Sequence, residues 1–151
     1  YHAILHGILD QPVVVNQPIG LHPSSEVVTR RAVVDGGQEA TTEFHPLASG
    51  GSFTLVRVHP LTGRAHQIRV HAEWLGHPIA GDKMYGVPDH VFLDFLKDGV
   101  TPRLLETLIL PRHALHASEM NFRTENLRFG APFPQDLKEF CTSHMRVVAP
   151  I

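Results

Sequence analysis

The sequence holds a single cysteine, Cys141, among 151 residues, so no disulfide can form within the chain. An unpaired thiol is typical of a reducing compartment, and we expect the protein to act in the cytoplasm. No apolar run approaches the roughly 18 consecutive residues of a membrane span, which argues against a membrane protein. Lysine and arginine number 13 against 15 aspartate and glutamate residues, for a formal charge of -2. Any site for an anion therefore has to be local.

Motifs of several enzyme classes are missing as well. The chain has no G-x-S-x-G nucleophile turn, no G-x-x-x-x-G-K-[ST] phosphate loop and no G-x-G-x-x-G after a predicted strand. Twelve histidines raise the question of a metal site. However, His66 and His71 are five positions apart and diverge around a predicted helix, whereas a helical zinc pair is four apart. We predict no bound metal and interpret the histidines as capped or half-buried polar residues.

The length and a hydrophobic content of 42% fit one domain with a buried core. Apolar, β-branched runs bounded by glycine and proline predict five strands, over residues 1–7, 13–15, 27–34, 40–47 and 53–58. Residues 13–15 are predicted to form a sheet edge, because prolines flank them. Turn residues between the later runs predict an antiparallel meander. A final hairpin is predicted from residues 115–122 and 127–129.

Helical spacing begins after Pro60. Apolar residues at helical intervals predict a helix from Arg64 to Leu75, capped by Thr62 or Gly63. Further helices are predicted over residues 89–97, from Thr101-Pro102 to before Pro111, and over residues 134–143. The fold class that follows is α+β, with a mostly antiparallel mixed sheet and flanking helices.

The densest polar cluster lies in residues 59–86, where basic residues outnumber acidic ones. Arg64 is near the N-terminus of the predicted helix, whose free N–H groups favour an anion. Arg69 is one turn before Glu73, so an exposed ion pair between them is the other interpretation, and spacing alone favours it. Asp82 is predicted to be a turn residue whose carboxylate accepts hydrogen bonds from nearby backbone.

The order of these residues resembles the RluA-type pseudouridine synthases. The characteristic stretch of that family, Thr-Gly-Arg-x-His-Gln-Ile/Leu-Arg-Val-His, stands here as residues 62–71. Its continuation, Leu-Gly-His-Pro-Ile-x-Gly-Asp followed by Tyr-Gly, stands as residues 75–82 and Tyr85-Gly86. The likeness extends over nearly the whole chain, to residues 1–7, 40–44, 114–117 and 131–134.

The resemblance implies the fold of a pseudouridine synthase catalytic domain and an isomerase that converts specific uridines of ribosomal or transfer RNA to pseudouridine. It implies no cofactor and no metal. By resemblance, Arg69 pairs with a nucleophilic aspartate, Tyr1 stacks on the flipped uracil, and Leu115 forms an apolar wall. Contacts to RNA phosphate or backbone are implied for three further residues, Arg64, His66 and Lys83.

The nucleophilic aspartate of that family belongs to an Arg-Leu-Asp-x-x-Thr-Ser-Gly segment upstream of the tyrosine strand, and these 151 residues contain no such segment. We therefore expect residues 1–151 to be the C-terminal part of a catalytic domain and to be inactive alone. We also expect self-association through apolar residues left exposed beside Tyr1, such as Ile4 and Leu5. Two other interpretations stay open: a catalytically inactive RNA-binding remnant, and a histidine-rich metal-binding or interaction domain.

Overall fold

The structure is a computed structural model that describes residues 1–122 and 124–151. The strands in these ranges are β1 (His2–His6), β2 (Val13–Asn16), β3 (Ile19–Leu21), β4 (Arg31–Val33), β5 (Thr41–Gly50), β6 (Phe53–Pro60), β7 (Leu115–His116), β8 (Glu119–Phe122) and β9 (Leu127–Gly130). The helices are α1 (Gln67–Trp74), α2 (Asp89–Asp98), α3 (Pro102–Leu108) and α4 (Gln135–Phe140), and α4 continues into a π-helical turn, Cys141–Met145. None of the helices in the described ranges is long and apolar enough to cross a membrane.

The main sheet has the strand order β2-β5-β6-β1-β7, and all of its pairings are antiparallel. With the four helices, this confirms the predicted α+β class. The pairs β3–β4 and β8–β9 form two separate ribbons. The predicted meander is wrong, because β1 pairs with β6 and β7 rather than with the next strand along the chain.

The composition of β1 explains why it lies inside the sheet, between β6 and β7. Its three middle residues, Ala3, Ile4 and Leu5, are all 0% exposed. A strand that is apolar on both faces is stabilised most where neighbours cover both of its edges and both of its faces. The prediction that Ile4 and Leu5 lie exposed is therefore wrong for this chain.

Two predicted strands change where the chain switches partners. Within residues 27–34 only Arg31–Val33 is a strand, because Arg30 N donates to Val27 O at 2.9 Å and closes a turn there. The predicted strand 115–122 is interrupted after His116. Leu115–His116 pairs with β1 in the main sheet, whereas Glu119–Phe122 pairs with β9.

The start of α1 also differs from the prediction. The helix begins at Gln67, not Arg64, and the residue before it, His66, has a left-handed backbone with φ of 59° and no capping hydrogen bond from its side chain. By contrast, the predicted cap of α3 is confirmed, since Thr101 Oγ1 accepts from Leu104 N at 3.2 Å and Pro102 is the first helical residue.

Helices cover both faces of the main sheet. Ile68 and Ala72 of α1 belong to the same buried cluster as residues of β5 and β6, and α1 also bonds to Thr42 of β5. On the opposite face, Phe53 of β6 packs edge-on against Phe140 of α4 with ring centroids 5.0 Å apart. This two-sided packing fixes the N-terminal end of α1 against the sheet, beside the beginning of β1.

Candidate active site

A cleft of about 200 Å³ opens between the start of α1 and the ends of β1, β6 and β7. Its lining consists of Tyr1, Pro60, Thr62, Gly63, Arg64, His66, Gln67, Ile68, Arg69 and Leu115. Five of the six residues singled out from the sequence are therefore brought together here. The sixth, Lys83, is not part of the lining.

Strand pairing places Tyr1 and Leu115 on the same wall of the cleft. The amino group of Tyr1 donates to Val58 O at 2.9 Å, and Val58 N donates to Tyr1 O at 2.8 Å. Leu115 is the register partner of Ala3. Since side chains alternate along a strand, Tyr1, Ala3 and Leu115 point to one face of the sheet. Tyr1 is 36% exposed and lines the cleft, so it is available to a ligand.

The side chain of Gln67 holds the loop that forms the opposite wall. Its amide oxygen accepts from Arg64 N at 3.0 Å and from the Thr62 hydroxyl at 2.8 Å. Its amide nitrogen donates to Thr41 O and to Thr42 Oγ1 of β5. One buried amide thus ties the loop to the sheet. The predicted helix cap at Thr62 or Gly63 is wrong, because the helix begins later and the Thr62 hydroxyl bonds to this amide.

Arg69 is closed on Asp82 in this structure. Arg69 Nε donates to Asp82 Oδ2 at 2.6 Å, and Nη2 donates to Oδ1 at 2.7 Å. Asp82 Oδ1 also accepts from the backbone N–H groups of Met84 and Tyr85, which confirms its predicted role in a turn. Burial raises the pKa of Asp82, but the hydrogen bonds and charge of Arg69 outweigh burial and lower it below its ordinary value.

The predicted ion pair between Arg69 and Glu73 is wrong. Glu73 Oε1 instead accepts from Arg30 Nη2 at 2.7 Å and from Gly86 N at 2.8 Å. Arg30 in turn pairs with Asp89 at the start of α2. This network connects the loop before β4, α1 and α2, and it leaves Arg69 to Asp82.

Tyr85 is buried and contacts two residues that line the cleft, Arg69 and His66. The guanidinium of Arg69 is 4.6 Å from the centre of its ring. Its hydroxyl accepts from Arg31 N at 3.1 Å and is 2.8 Å from His66 Nδ1. Tyr85 belongs to the Tyr-Gly step of the recognised motif, but nothing in the sequence indicated a role for it.

The remaining cations differ in their availability. Arg64 is exposed, and its Nε donates to Glu39 O at 2.9 Å. His66 is half-buried, and burial, followed by the charge of Arg69, lowers its pKa. Lys83 Nζ donates to Pro111 O at 2.6 Å and lies 4.8 Å from the centre of the Phe95 ring. Lys83 is therefore engaged outside the cleft.

No group of three or more histidine, cysteine, aspartate or glutamate side chains within residues 1–122 and 124–151 is arranged to hold a metal ion. The cleft instead combines an aromatic ring, an apolar wall, two arginines and an imidazole. Such a set can hold a flat, polar and partly anionic ligand.

Comparison of the chain with known proteins identifies its family. Residues 1–74 match the family model for RNA pseudouridylate synthase. The chain is 37% identical over 144 residues to the uncharacterized RNA pseudouridine synthase YjbO of Bacillus subtilis. The matched region covers 92% of this chain and 44% of that protein. It is 36% identical over 142 residues to the ribosomal large subunit pseudouridine synthase D of Nitrosomonas europaea, covering 91% of this chain and 38% of that one.

A solved structure agrees with the sequence relatives. Human RNA pseudouridylate synthase domain containing 1 matches with a TM-score of 0.70 and 25% identity, covering 99% of this chain and 58% of that chain. The fold is that of a pseudouridine synthase domain. The chain belongs to the RluA-type family of RNA pseudouridine synthases, and it spans about two fifths of the length of the curated relatives it matches.

Proposed function

We propose that this chain is the part of an RNA pseudouridine synthase that holds the target uridine during its isomerisation. The observation that carries the proposal is the cleft, which unites Tyr1, Arg69 and Leu115 from three separate parts of the sequence. In the reaction, the bond from uracil N1 to the ribose breaks, the uracil turns, and its C5 bonds to the ribose instead. Hydrogen leaves C5 and N1 gains one, so the product is an isomer of the substrate.

Tyr1 and Leu115 are proposed to hold the base. A nucleotide must leave its stack before chemistry on its glycosidic bond can occur, and an aromatic face recovers part of the stacking energy, about 1–3 kcal/mol per base. A ring and an apolar side chain impose no directional bonds on the base plane, so the uracil can turn between them. Their shared face of the sheet supports this assignment.

Arg69 is proposed to face the nucleophilic aspartate of the family. A guanidinium within about 4–6 Å of a carboxyl lowers its pKa by about 1–3 units and keeps it ionised for attack. Two of the three guanidinium nitrogens of Arg69 are bonded to Asp82. Its Nη1 makes no hydrogen bond with any described residue and is the atom we assign to the aspartate.

Arg64 and His66 are proposed to contact the RNA backbone from the loop side of the cleft. Arg64 uses only its Nε within the described chain, so both Nη groups are available for a phosphate. Lys83 is retained as a weaker proposal for an RNA contact, because its ammonium already donates to Pro111 O.

Ribosomal RNA is the substrate that we propose first, with transfer RNA as the other class. The support is the name of the Nitrosomonas relative, a ribosomal large subunit pseudouridine synthase. The test compares conversion by a longer, active chain of two transcripts labelled alike, one of large-subunit ribosomal RNA and one of transfer RNA. Equal conversion of both would overturn the preference.

The cytoplasm is the proposed place of action. Cys141, the one cysteine, is fully buried in the core, and burial raises the pKa of its thiol. Such a thiol is inert and suits a reducing compartment, where RNA substrates also occur.

Self-association is proposed for the 151-residue chain, with a different basis from the one expected from the sequence. The β8–β9 ribbon carries four apolar side chains on one face, each 44–58% exposed: Met120, Phe122, Leu127 and Phe129. Its other face is polar and includes the ion pair of Arg128 with Glu119. A contiguous apolar face of this kind favours contact with a second copy of the chain.

Tritium release tests the proposed reaction. In RNA labelled with tritium at C5 of uridine, each conversion releases the label to water. We expect no release by the 151-residue chain and release by a longer chain in which the Arg-Leu-Asp-x-x-Thr-Ser-Gly segment precedes Tyr1. Release by the 151-residue chain alone would overturn the assigned roles.

RNA binding is testable with the 151-residue chain itself. Arg64→Gln should weaken binding of a hairpin RNA with uridines in its loop and lower the slope of log Kd against log salt by about one. The matched control is Arg103→Gln, at an exposed arginine of α3 outside the cleft. Equal effects of the two substitutions would contradict the proposed interface.

A further inference from the structure

The hydroxyl of Tyr85 lies between a backbone N–H and an imidazole nitrogen. Arg31 N donates to the hydroxyl oxygen at 3.1 Å, and His66 Nδ1 is 2.8 Å from the same oxygen. Tyr85 is 1% exposed, so solvent does not reach its ring. The hydrogen-bonding needs of this buried group must therefore be met by its protein neighbours.

These neighbours determine the direction of the hydrogen bond to His66. Arg31 N–H can only donate, so the hydroxyl oxygen is already an acceptor. The hydroxyl hydrogen still needs an acceptor, and leaving it without one costs about 1–3 kcal/mol. Among the described residues, the only group within hydrogen-bond distance that can accept it is His66 Nδ1. Tyr85 therefore donates to Nδ1, and the neutral imidazole carries its hydrogen on Nε2.

The surroundings keep both rings in the states that this hydrogen bond requires. Burial raises the pKa of Tyr85, which keeps its hydroxyl protonated. Burial and the charge of Arg69 lower the pKa of His66, which keeps its imidazole neutral at pH 7. The two rings meet edge to face with centroids 5.7 Å apart, and Arg69 covers the face of Tyr85. His66 thus has a fixed orientation as well as a fixed tautomer.

We propose that Tyr85 is a positioning residue that fixes His66 as an Nε2–H donor at the wall of the cleft. Nε2 is on the side of the ring away from Nδ1 and makes no hydrogen bond with any described residue, and His66 lines the cleft. If the proposed function holds, this donor binds an acceptor oxygen of the RNA, either a uracil carbonyl oxygen or a phosphate oxygen.

The tautomer is measurable in the 151-residue chain without any assay of activity. In a long-range proton–nitrogen NMR spectrum of ¹⁵N-labelled chain at pH 7, His66 Nδ1 should resonate as an unprotonated acceptor and Nε2 as a protonated nitrogen. In Tyr85→Phe, both tautomers should be populated, so the two nitrogen shifts should move toward each other. Observation of Nδ1–H in the unsubstituted chain would overturn the proposal, even if Tyr85→Phe failed to fold.

His71 is an internal control in the same spectra. Its Nε2 is 3.0 Å from Gln17 O, a carbonyl that can only accept, so its hydrogen is on Nε2 independently of Tyr85. The His71 shifts should stay unchanged in Tyr85→Phe. A parallel change at His71 would mean that the substitution acts through general loosening of the core, which would count against a specific effect on His66.

Binding experiments distinguish this inference from the proposed function. The probe is uridine 5′-monophosphate, followed by the shift of His66 Nε2. A shift at Nε2, with binding weakened by about two- to tenfold in Tyr85→Phe, would support the donor role, since that factor is the value of one hydrogen bond. Unchanged affinity in a folded Tyr85→Phe would overturn it. Failure to bind both this probe and RNA, with Nε2–H observed, would overturn the RNA function while the positioning by Tyr85 stands.

Discussion

Asp82 is the buried acceptor that binds the Arg69 guanidinium beside the cleft. Its carboxylate has 0% exposure and accepts from Arg69, Met84 N and Tyr85 N. Because its pKa is lowered on folding, it stabilises the chain above its unfolded-state pKa and loses that contribution as pH falls through the folded-state value. At neutral pH, Asp82 therefore holds the Arg69 guanidinium at the cleft.

Arg69→Lys should lower the free energy of unfolding by about 1–3 kcal/mol, since an ammonium cannot reproduce the two-pronged contact to a buried carboxylate. Urea unfolding at pH 7 measures the change. Arg112→Lys is a close control, because Arg112 grips Asp136 with the same two nitrogens but the pair is 39% and 45% exposed. The control should lose less than about 1 kcal/mol. Similar losses at both sites would contradict a role for burial.

Arg69→Lys is also expected to remove most of the turnover of a longer, active chain. Tritium release from C5-labelled RNA provides the measurement. Turnover equal to that of the unsubstituted enzyme would refute the pairing of Arg69 with the nucleophile.

His2 makes the chain sensitive to mild acid. Both of its ring nitrogens are buried without a partner among the described residues, and burial, the Tyr1 amino group and Arg57 lower its pKa from 6.5 to about 4. The unfolded chain therefore binds more protons in this range, so stability falls as pH drops from about 6.5 to about 4. In His2→Phe, the difference in urea midpoint between pH 7 and pH 5 should shrink. His90→Phe, at an exposed position, should retain it, and an undiminished difference in His2→Phe would refute the assignment.

At the scale of elements, α1 and its preceding loop depend on one buried side chain. Gln67→Met keeps the approximate shape of the side chain but removes the hydrogen-bond partner of Thr41 O and Arg64 N. We expect the free energy of unfolding to fall by about 1–3 kcal/mol. Thermal or urea unfolding measures this loss. Gln135→Met in α4, where the amide bonds only to exposed Glu139, should be nearly neutral. A neutral Gln67→Met would mean that the loop does not need its amide.

Elements with local signals could be predicted from the sequence. The cap at Thr101 and the proline after it define the start of α3 within a few residues, and the structure contains that cap. The sequence predicts the start of α1 at Arg64, whereas the helix begins at Gln67. The side chain that holds the preceding loop, that of Gln67, bonds to residues of β5 about 25 positions away. Sequence spacing within a helix carries no record of such a partner.

Contacts between distant segments were likewise beyond local patterns. Helical spacing places Glu73 beside Arg69, yet Arg69 binds Asp82, 13 residues on, because the turn at Asp82 brings its carboxylate to the helix. The family resemblance indicated three residues that line the cleft, Tyr1, Arg69 and Leu115. It did not indicate which of them have hydrogen-bond partners within the chain. Those partners depend on how the sheet and α1 pack.

For the molecule as a whole, the cleft is a product of the complete main sheet. Tyr1 and Leu115 are 114 positions apart and meet because β1 pairs with β7. The opposite wall depends on α1 lying on β5 through Gln67 and Thr42. No single element contains the site, so a change that loosens β7 or α1 should impair ligand binding before it unfolds the core.

The β8–β9 ribbon should govern the association of the 151-residue chain in solution. Static light scattering over a concentration series should show an apparent mass that rises with concentration. Phe122→Thr with Phe129→Thr keeps strand-forming residues but removes half of the apolar face, so the rise should be smaller. The matched control is Val28→Thr with Val148→Thr, two side chains that are 84% and 87% exposed outside this face. A monomer at every concentration would refute self-association, and an equal effect of the control would place the contact elsewhere.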